Sequence, residues 1–145
     1  MPHTPTRRSA ARGRELQLRH RSLARRPCRP HELFDPTPGG LRGRFRVLLE
    51  RLDDSTGAVI LAGELDLAAV PALDGALRRA EAWAPATVFV DAGDVGFVDL
   101  SVVRRLADSH ERLKERGGEL LVVNPPDCLL RILDVLEDLE LLLLP

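Results

Sequence analysis

Residues 45–145 predict an α/β fold: a mixed, mostly parallel sheet packed with helices, in the order β-β-α-β-α-β-α-β. Three observations carry this. Two short strands, 87–91 and 119–123, carry the unbroken apolar runs Val88–Val90 and Leu120–Val123 and so read as central parallel strands rather than half-solvated ones. Stripes with helical i, i+3, i+7 spacing alternate with those runs. Ahead of them, a short Gly-containing loop joins two further strands into a hairpin. The 145 residues suffice for one domain of ordinary size, and 44% apolar content supports a real core. Aromatic residues make up only 3%, so that core is built from Leu, Val and Ala.

The first strand is Phe45–Leu52, with Phe45, Val47 and Leu49 on one face. Residues 53–57, Asp-Asp-Ser-Thr-Gly, turn the chain, and Ala58–Ala62 returns as a second strand. Gly63-Glu64-Leu65-Asp66 then leaves the sheet. Ala68–Trp83 reads as a helix buried through Val70, Leu73, Leu77 and Ala80, with Asp74, Arg78 and Glu81 lying elsewhere. Asp66 is placed to cap its first turn, where the missing N–H of Pro71 is tolerated. Pro85 ends the helix. The strand Thr87–Asp91 leads into the junction Val95–Leu106, inside which a second helix begins at Ser101 and runs to about Arg116. Val102, Leu106 and Leu113 supply its buried side, and Gly117-Gly118 stops it. His110 reads as a helix-edge residue with its polar tip outward. After the strand Glu119–Val123, Pro126 suits the start of a third helix carrying Leu129, Ile132, Leu133 and Leu136. Leu141–Leu144 is a last strand.

Residues 1–44 are a different object. They hold eleven Arg against Glu15, Glu32 and Asp35, a net of +8, while residues 45–145 hold ten basic and nineteen acidic side chains, a net of −9. The scattered apolar residues of this segment cannot offset its ordering entropy, so a flexible, disordered arm is expected. It reads as an arm for nucleic acid or anionic lipid, as an arm for the acidic domain of its own chain, or as a dispensable tail from an upstream start codon. No residues able to read bases stand out, so nucleic acid is not the expected partner. No apolar run is long enough to span a membrane and no secretory h-region is present, which predicts a cytoplasmic chain without membrane insertion. Two cysteines, Cys28 and Cys128, do not suggest a disulfide framework.

Catalytic chemistry finds little support. Asp66, Asp91, Asp94 and Asp99 gather near strand ends, where acids more often cap helices than hold Mg²⁺. A phospho-acceptor receiver needs a Lys on a later strand, whereas Lys114, the single lysine, falls on a helix. His110 is the one histidine of the domain and sits over two helical turns from Ser101, so no nucleophile–base pair forms. Metal-ligand spacing and a phosphate-cradling glycine loop are both absent. No enzyme, metal or cofactor is expected.

The order of motifs does resemble one family. Gly63-Glu64-Leu65-Asp66, a helix, a strand, Phe97-Val98-Asp99-Leu100-Ser101, then Gly117-Gly118 before an apolar strand, is similar to the STAS domain of anti-sigma factor antagonists. The resemblance covers roughly residues 45–145 and implies a STAS-like fold for them. The family pattern at the junction is Asp-Ser-Ser-Gly-Leu or Asp-Ser-Ala-Gly-Leu, its first Ser being phosphorylated by a partner anti-sigma kinase. Here Asp99 matches the Asp, Leu100 falls on the acceptor, Ser101 on the second small residue, Val102 on the Gly and Val103 on the Leu. The acceptor hydroxyl is missing. A phosphoserine brings about −1.5 to −2 charge, enough to disrupt a docked surface; Leu100 favours apolar contact instead.

The resemblance implies a protein that docks an anti-sigma factor of histidine-kinase-like ATPase fold through Asp99, Leu100, Ser101, Val102, Val103 and the corner Glu64, Leu65, Asp66. Three readings of the turn stay open: docking without a switch, Ser101 as the phosphorylated residue, or a scaffold or sensor module without this partner. A small STAS subunit of a lipid-transport ATPase complex is a further alternative. The family usually continues into a fourth helix beyond the position of Pro145. Leu141–Leu144 therefore invites cover from a partner, a homodimer mate or the N-terminal segment.

Overall fold

The computed structural model describes residues 44–84, 86–136 and 141–144. The basic segment expected at residues 1–44 lies outside them, apart from Arg44. The elements are β1 (Phe45–Asp53), β2 (Thr56–Leu65), a 3₁₀ turn (Leu67–Ala69), α1 (Val70–Trp83), β3 (Thr87–Val98), α2 (Leu100–Glu115), β4 (Glu119–Val123), α3 (Asp127–Val135) and β5 (Leu142–Leu144).

One sheet holds all five strands in sequence order. β1 pairs antiparallel with β2, as a tight hairpin requires, and every later pair is parallel. The predicted mixed, mostly parallel α/β architecture is therefore present. A strand order that steps one way with right-handed crossovers places every helix on the same face. The core follows suit: Leu73, Ala76 and Leu77 of α1, Val102, Val103, Leu106 and Leu113 of α2, and Leu129 of α3 pack in one cluster with Val59, Leu61, Val88, Val90, Leu120 and Val122 of the sheet. Each fully buried Leu contributes roughly 1.5–3 kcal/mol. Leu73 and Leu77 together outweigh the ~1 kcal/mol that Gly75 costs in the interior of α1.

Two strands run further than expected. β2 continues through Gly63 and Glu64 to Leu65 instead of leaving the sheet after Ala62, and β3 continues through the junction to Val98 instead of ending at Asp91. The cause lies in the pairing. β3 uses one more residue than β2 between Ile60↔Asp91 and Ala62↔Asp94, and another between Gly63↔Val95 and Glu64↔Phe97. Each irregularity is a bulge beside a glycine, Gly93 or Gly96, and it breaks the alternation by which a strand is read from sequence.

Gly63 is tied to this geometry. Its φ is +87°, and a Cβ there would land on the Arg44 carbonyl oxygen. That carbonyl accepts the Glu64 N–H at 2.7 Å, which fixes the start of β1 against the end of β2.

The helices α1 and α2 carry polar residues inward that their spacing had placed outside. Glu81 is buried and receives a forked pair of bonds from Arg112, at 2.7 Å from Nε and 3.2 Å from Nη2. The Glu81 carboxylate holds the guanidinium above its ordinary pKa. His110 is also buried, correcting the outward orientation expected of it; its Nδ1 accepts the Leu120 N–H at 3.4 Å.

Candidate functional site

β2 and β3 end side by side. Leu65 and Val98 are their last register pair, and the next residues are Asp66 and Asp99. The Asp99 N–H donates to the Leu65 carbonyl at 2.9 Å, which levels the two ends. Each Asp then starts a helical turn in the same way. The Asp66 carboxylate accepts the Ala68 N–H at 3.0 Å, and the Asp99 carboxylate accepts the Ser101 N–H at 2.8 Å. Both aspartates are N-caps, each satisfying a backbone donor that its helix leaves orphaned.

Ser101 adds a second bond at Asp99. Its hydroxyl donates to the same carboxylate oxygen at 2.6 Å. This hydroxyl bond first, and the backbone bond second, hold the Asp99 carboxyl below its usual range. Ser101 thus has a local structural partner for its hydroxyl.

Around the paired aspartates the surface is apolar. Leu67 is 69% exposed, Phe97 48% and Leu100 39%. Phe97 stands opposite Glu64 in the register. Leu67 follows Asp66, and Leu100 follows Asp99. Scattered single exposed apolar residues need no explanation, but three of the four large exposed ones among the described residues lie within two residues of Asp66 or Asp99.

The expected site residues divide cleanly. Glu64 and Leu100 are exposed, and Asp66, Asp99 and Ser101 are half-buried at the surface. Leu65, Val102 and Val103 are sunk in the core, at 1%, 0% and 0% exposure. Their side chains support the corner from beneath. Val102 and Val103 point inward because the first turn of α2 must bury the sheet-facing side of its stripe. Sequence reasoning missed Leu67 and Phe97 as surface residues. No local signal marked them: Phe97 lies among the bulges of β3, which belong to the pairing with β2, and Leu67 lies in the turn after Asp66.

The four carboxylates do not converge on a cation. Asp91 is buried and accepts from the Gly93 N–H at 3.0 Å and the Asn124 side-chain amide at 3.4 Å. Among the described residues no group of three His, Cys, Asp or Glu side chains is placed to hold a metal. No helix among them is long and apolar enough to cross a membrane.

A family model described as "Mlab, STAS domain" matches residues 48–142. The chain belongs to the STAS family. Solved structures agree on the fold. The anti-sigma factor antagonist SpoIIAA in its unphosphorylated form is similar with a TM-score of 0.57 at 20% identity, covering 68% of this chain and 87% of that one. An anti-sigma factor antagonist from Mycobacterium paratuberculosis is similar with a TM-score of 0.54 at 26% identity, covering 63% and 76%. The murine anion transporter Slc26a9 is similar with a TM-score of 0.52 at 18% identity, covering 61% of this chain but only 15% of the transporter. No curated protein matches the sequence. The STAS scaffold thus occurs among the similar structures both as a protein nearly filled by it and as a small part of a much larger one. The corner of this STAS domain, with Asp99 followed by Leu100, lies inside the matched region.

Proposed function

We propose that this STAS domain is a non-enzymatic docking protein, of the anti-sigma factor antagonist kind, that binds an anti-sigma factor of kinase-like fold through the ends of β2 and β3. The observation that carries the reading is the exposed trio Leu67, Phe97 and Leu100 around the paired caps Asp66 and Asp99. Exposed apolar side chains beside acidic caps suit a specific interface: the apolar groups supply affinity through desolvation, and the charged groups select the partner. Glu64 adds a third acid there.

Docking here proceeds without a phosphoserine switch at the position of Leu100. SpoIIAA has been solved in both phosphorylated and unphosphorylated forms. In this chain the corresponding turn presents a leucine, and the neighbouring Ser101 hydroxyl is engaged by Asp99 at 2.6 Å. Binding is then governed by how much partner is present rather than by charge added to the turn.

A second reading, a permanently bound STAS subunit of a lipid-transport ATPase complex, draws on the same observation. An apolar corner with leucine at position 100 suits lasting association as well as regulated association. The two differ in partner. Purified anti-sigma factors encoded in the same genome are titrated into the full chain, beside the Leu100→Arg variant. The proposal expects one of them to bind, and the variant to bind at least tenfold more weakly. Binding that is unaffected by Leu100→Arg contradicts the site, and co-purification with a transport ATPase in place of any anti-sigma factor favours the second reading.

A further inference from the structure

The two edges of the sheet are unlike. β5 is a strand of 3 residues, short enough to blunt its own edge. β1 is longer, keeps its register with β2 unbroken from Phe45 to Arg51, and contains no proline. Among the described residues no strand lies on its other side. A long, regular edge presents a row of backbone groups that can pair with a further strand.

The ladder fixes which groups those are. The Glu64 N–H donates to the Arg44 carbonyl at 2.7 Å, one step beyond the pair Phe45↔Gly63. Bonded and non-bonded pairs alternate along an antiparallel ladder. The even-numbered residues of β1 therefore bond to β2, while Phe45, Val47, Leu49 and Arg51 turn their N–H and C=O groups to the open edge. A second β1 running antiparallel must then bond odd residues to odd.

Side chains select one register among those allowed. Val47 and Leu49 belong to the core beneath the helices, so Arg46, Leu48 and Glu50 share the other face. Arg46 is exposed, and Glu50 is half-buried. Neither side chain has an ion pair or hydrogen bond among the described residues. Within one chain their Cα atoms stand roughly 13 Å apart along the strand. Centring the pairing on Leu48 sets Arg46 directly opposite Glu50 of the second copy, and by symmetry does so twice. Both are non-bonded pairs, whose Cα atoms approach to about 4.5 Å. Leu48 meets its own copy on the two-fold axis between them. Sliding the register by two residues puts Leu48 opposite Arg46 in one direction and opposite Glu50 in the other.

We infer that β1 is a self-pairing edge, through which a second copy of this chain joins antiparallel about Leu48 and makes the two sheets continuous. The charges that would deter an arbitrary strand match in this one arrangement. The two β2–β3 corners then point to opposite ends of the joined sheet, so the inference holds whatever docks there.

Sedimentation of the full chain across a concentration series tests it. The chain dimerises, and Arg46→Glu and Glu50→Arg each weaken the dimer about tenfold, because each variant sets two like-charge pairs opposite one another. The double variant, with the charges exchanged, recovers the original strength. Crosslinking checks the register in a chain with Cys28 and Cys128 replaced by Ser. Leu48→Cys forms a disulfide-linked dimer on mild oxidation. Arg46→Cys does not do so alone, but does when mixed with Glu50→Cys. A chain that stays monomeric throughout the series overturns the inference. So does a dimer whose strength both charge reversals leave unchanged, or one that Leu48→Cys fails to crosslink.

Discussion

The backbone N–H of Asp99 bonds to the carbonyl of Leu65 at 2.9 Å, one residue past the last paired rung of β2 and β3. This bond levels the two strand ends that carry the helix-capping Asp66 and Asp99, with Leu67, Phe97 and Leu100 within two residues of them. The proposed docking corner therefore depends on backbone register, and its acids have structural duties of their own.

Asp99→Ala removes the cap of α2. A lost N-cap destabilises the helix it starts, so the melting temperature falls by a few degrees. Asp99→Asn, which keeps a capping oxygen, recovers most of the loss. Thermal unfolding followed by circular dichroism separates the three proteins.

Acid titration reports the same bond. The folded state holds the Asp99 carboxyl below its usual range, mainly through the Ser101 hydroxyl and then through the Ser101 N–H. The ionised form is favoured on folding. Its stabilising effect is complete above the unfolded carboxylate pKa of about 3.9 and is lost as pH falls through the lower folded value. Ser101→Ala raises the Asp99 midpoint toward the ordinary range, observed at its carboxyl carbon by NMR. An unmoved midpoint contradicts the assignment.

Arg112→Ala strands Glu81 between α1 and α2. Breaking a fully buried pair costs roughly 3–5 kcal/mol. Arg112 keeps about a quarter of its side chain in solvent, so the expected loss is smaller, about 2–3 kcal/mol. Replacing both residues, as Glu81→Leu with Arg112→Met, recovers most of it. Urea denaturation of the single and double variants measures the difference.

Gly63→Ala disrupts the corner from below. The left-handed backbone alone costs roughly 1–3 kcal/mol, and the added methyl collides with the Arg44 carbonyl that the Glu64 N–H needs. The variant unfolds at lower urea concentration, and the Glu64 amide loses its protection from hydrogen exchange.

The sequence made the architecture legible because its signals are local. Continuous apolar runs marked β3 and β4, helical stripes marked α1 and α2, and Gly117-Gly118 marked the end of α2; β4 was located to the residue. The far ends of β2 and β3 escaped notice because their bulges belong to the pairing of two strands and leave no periodicity in either. Glu81 and His110 were read outward because amphipathic spacing assumes one apolar contact face, whereas α1 meets both the sheet and α2. Of the corner, the capping role of Asp66 was readable from its position before a helical stripe. The exposure of Phe97 and Leu67 was not, since it follows from where the two strands stop relative to each other.

The most direct measurement is a map of amide shift changes on the isotope-labelled full chain as a purified anti-sigma factor from the same genome is added. The account predicts changes centred on Glu64, Asp66, Leu67, Phe97, Leu100 and Ser101, with the exposed sides of α1 and α2 unmoved. Changes centred on Arg78, Arg104 and Glu111 instead, with the corner silent, would contradict it.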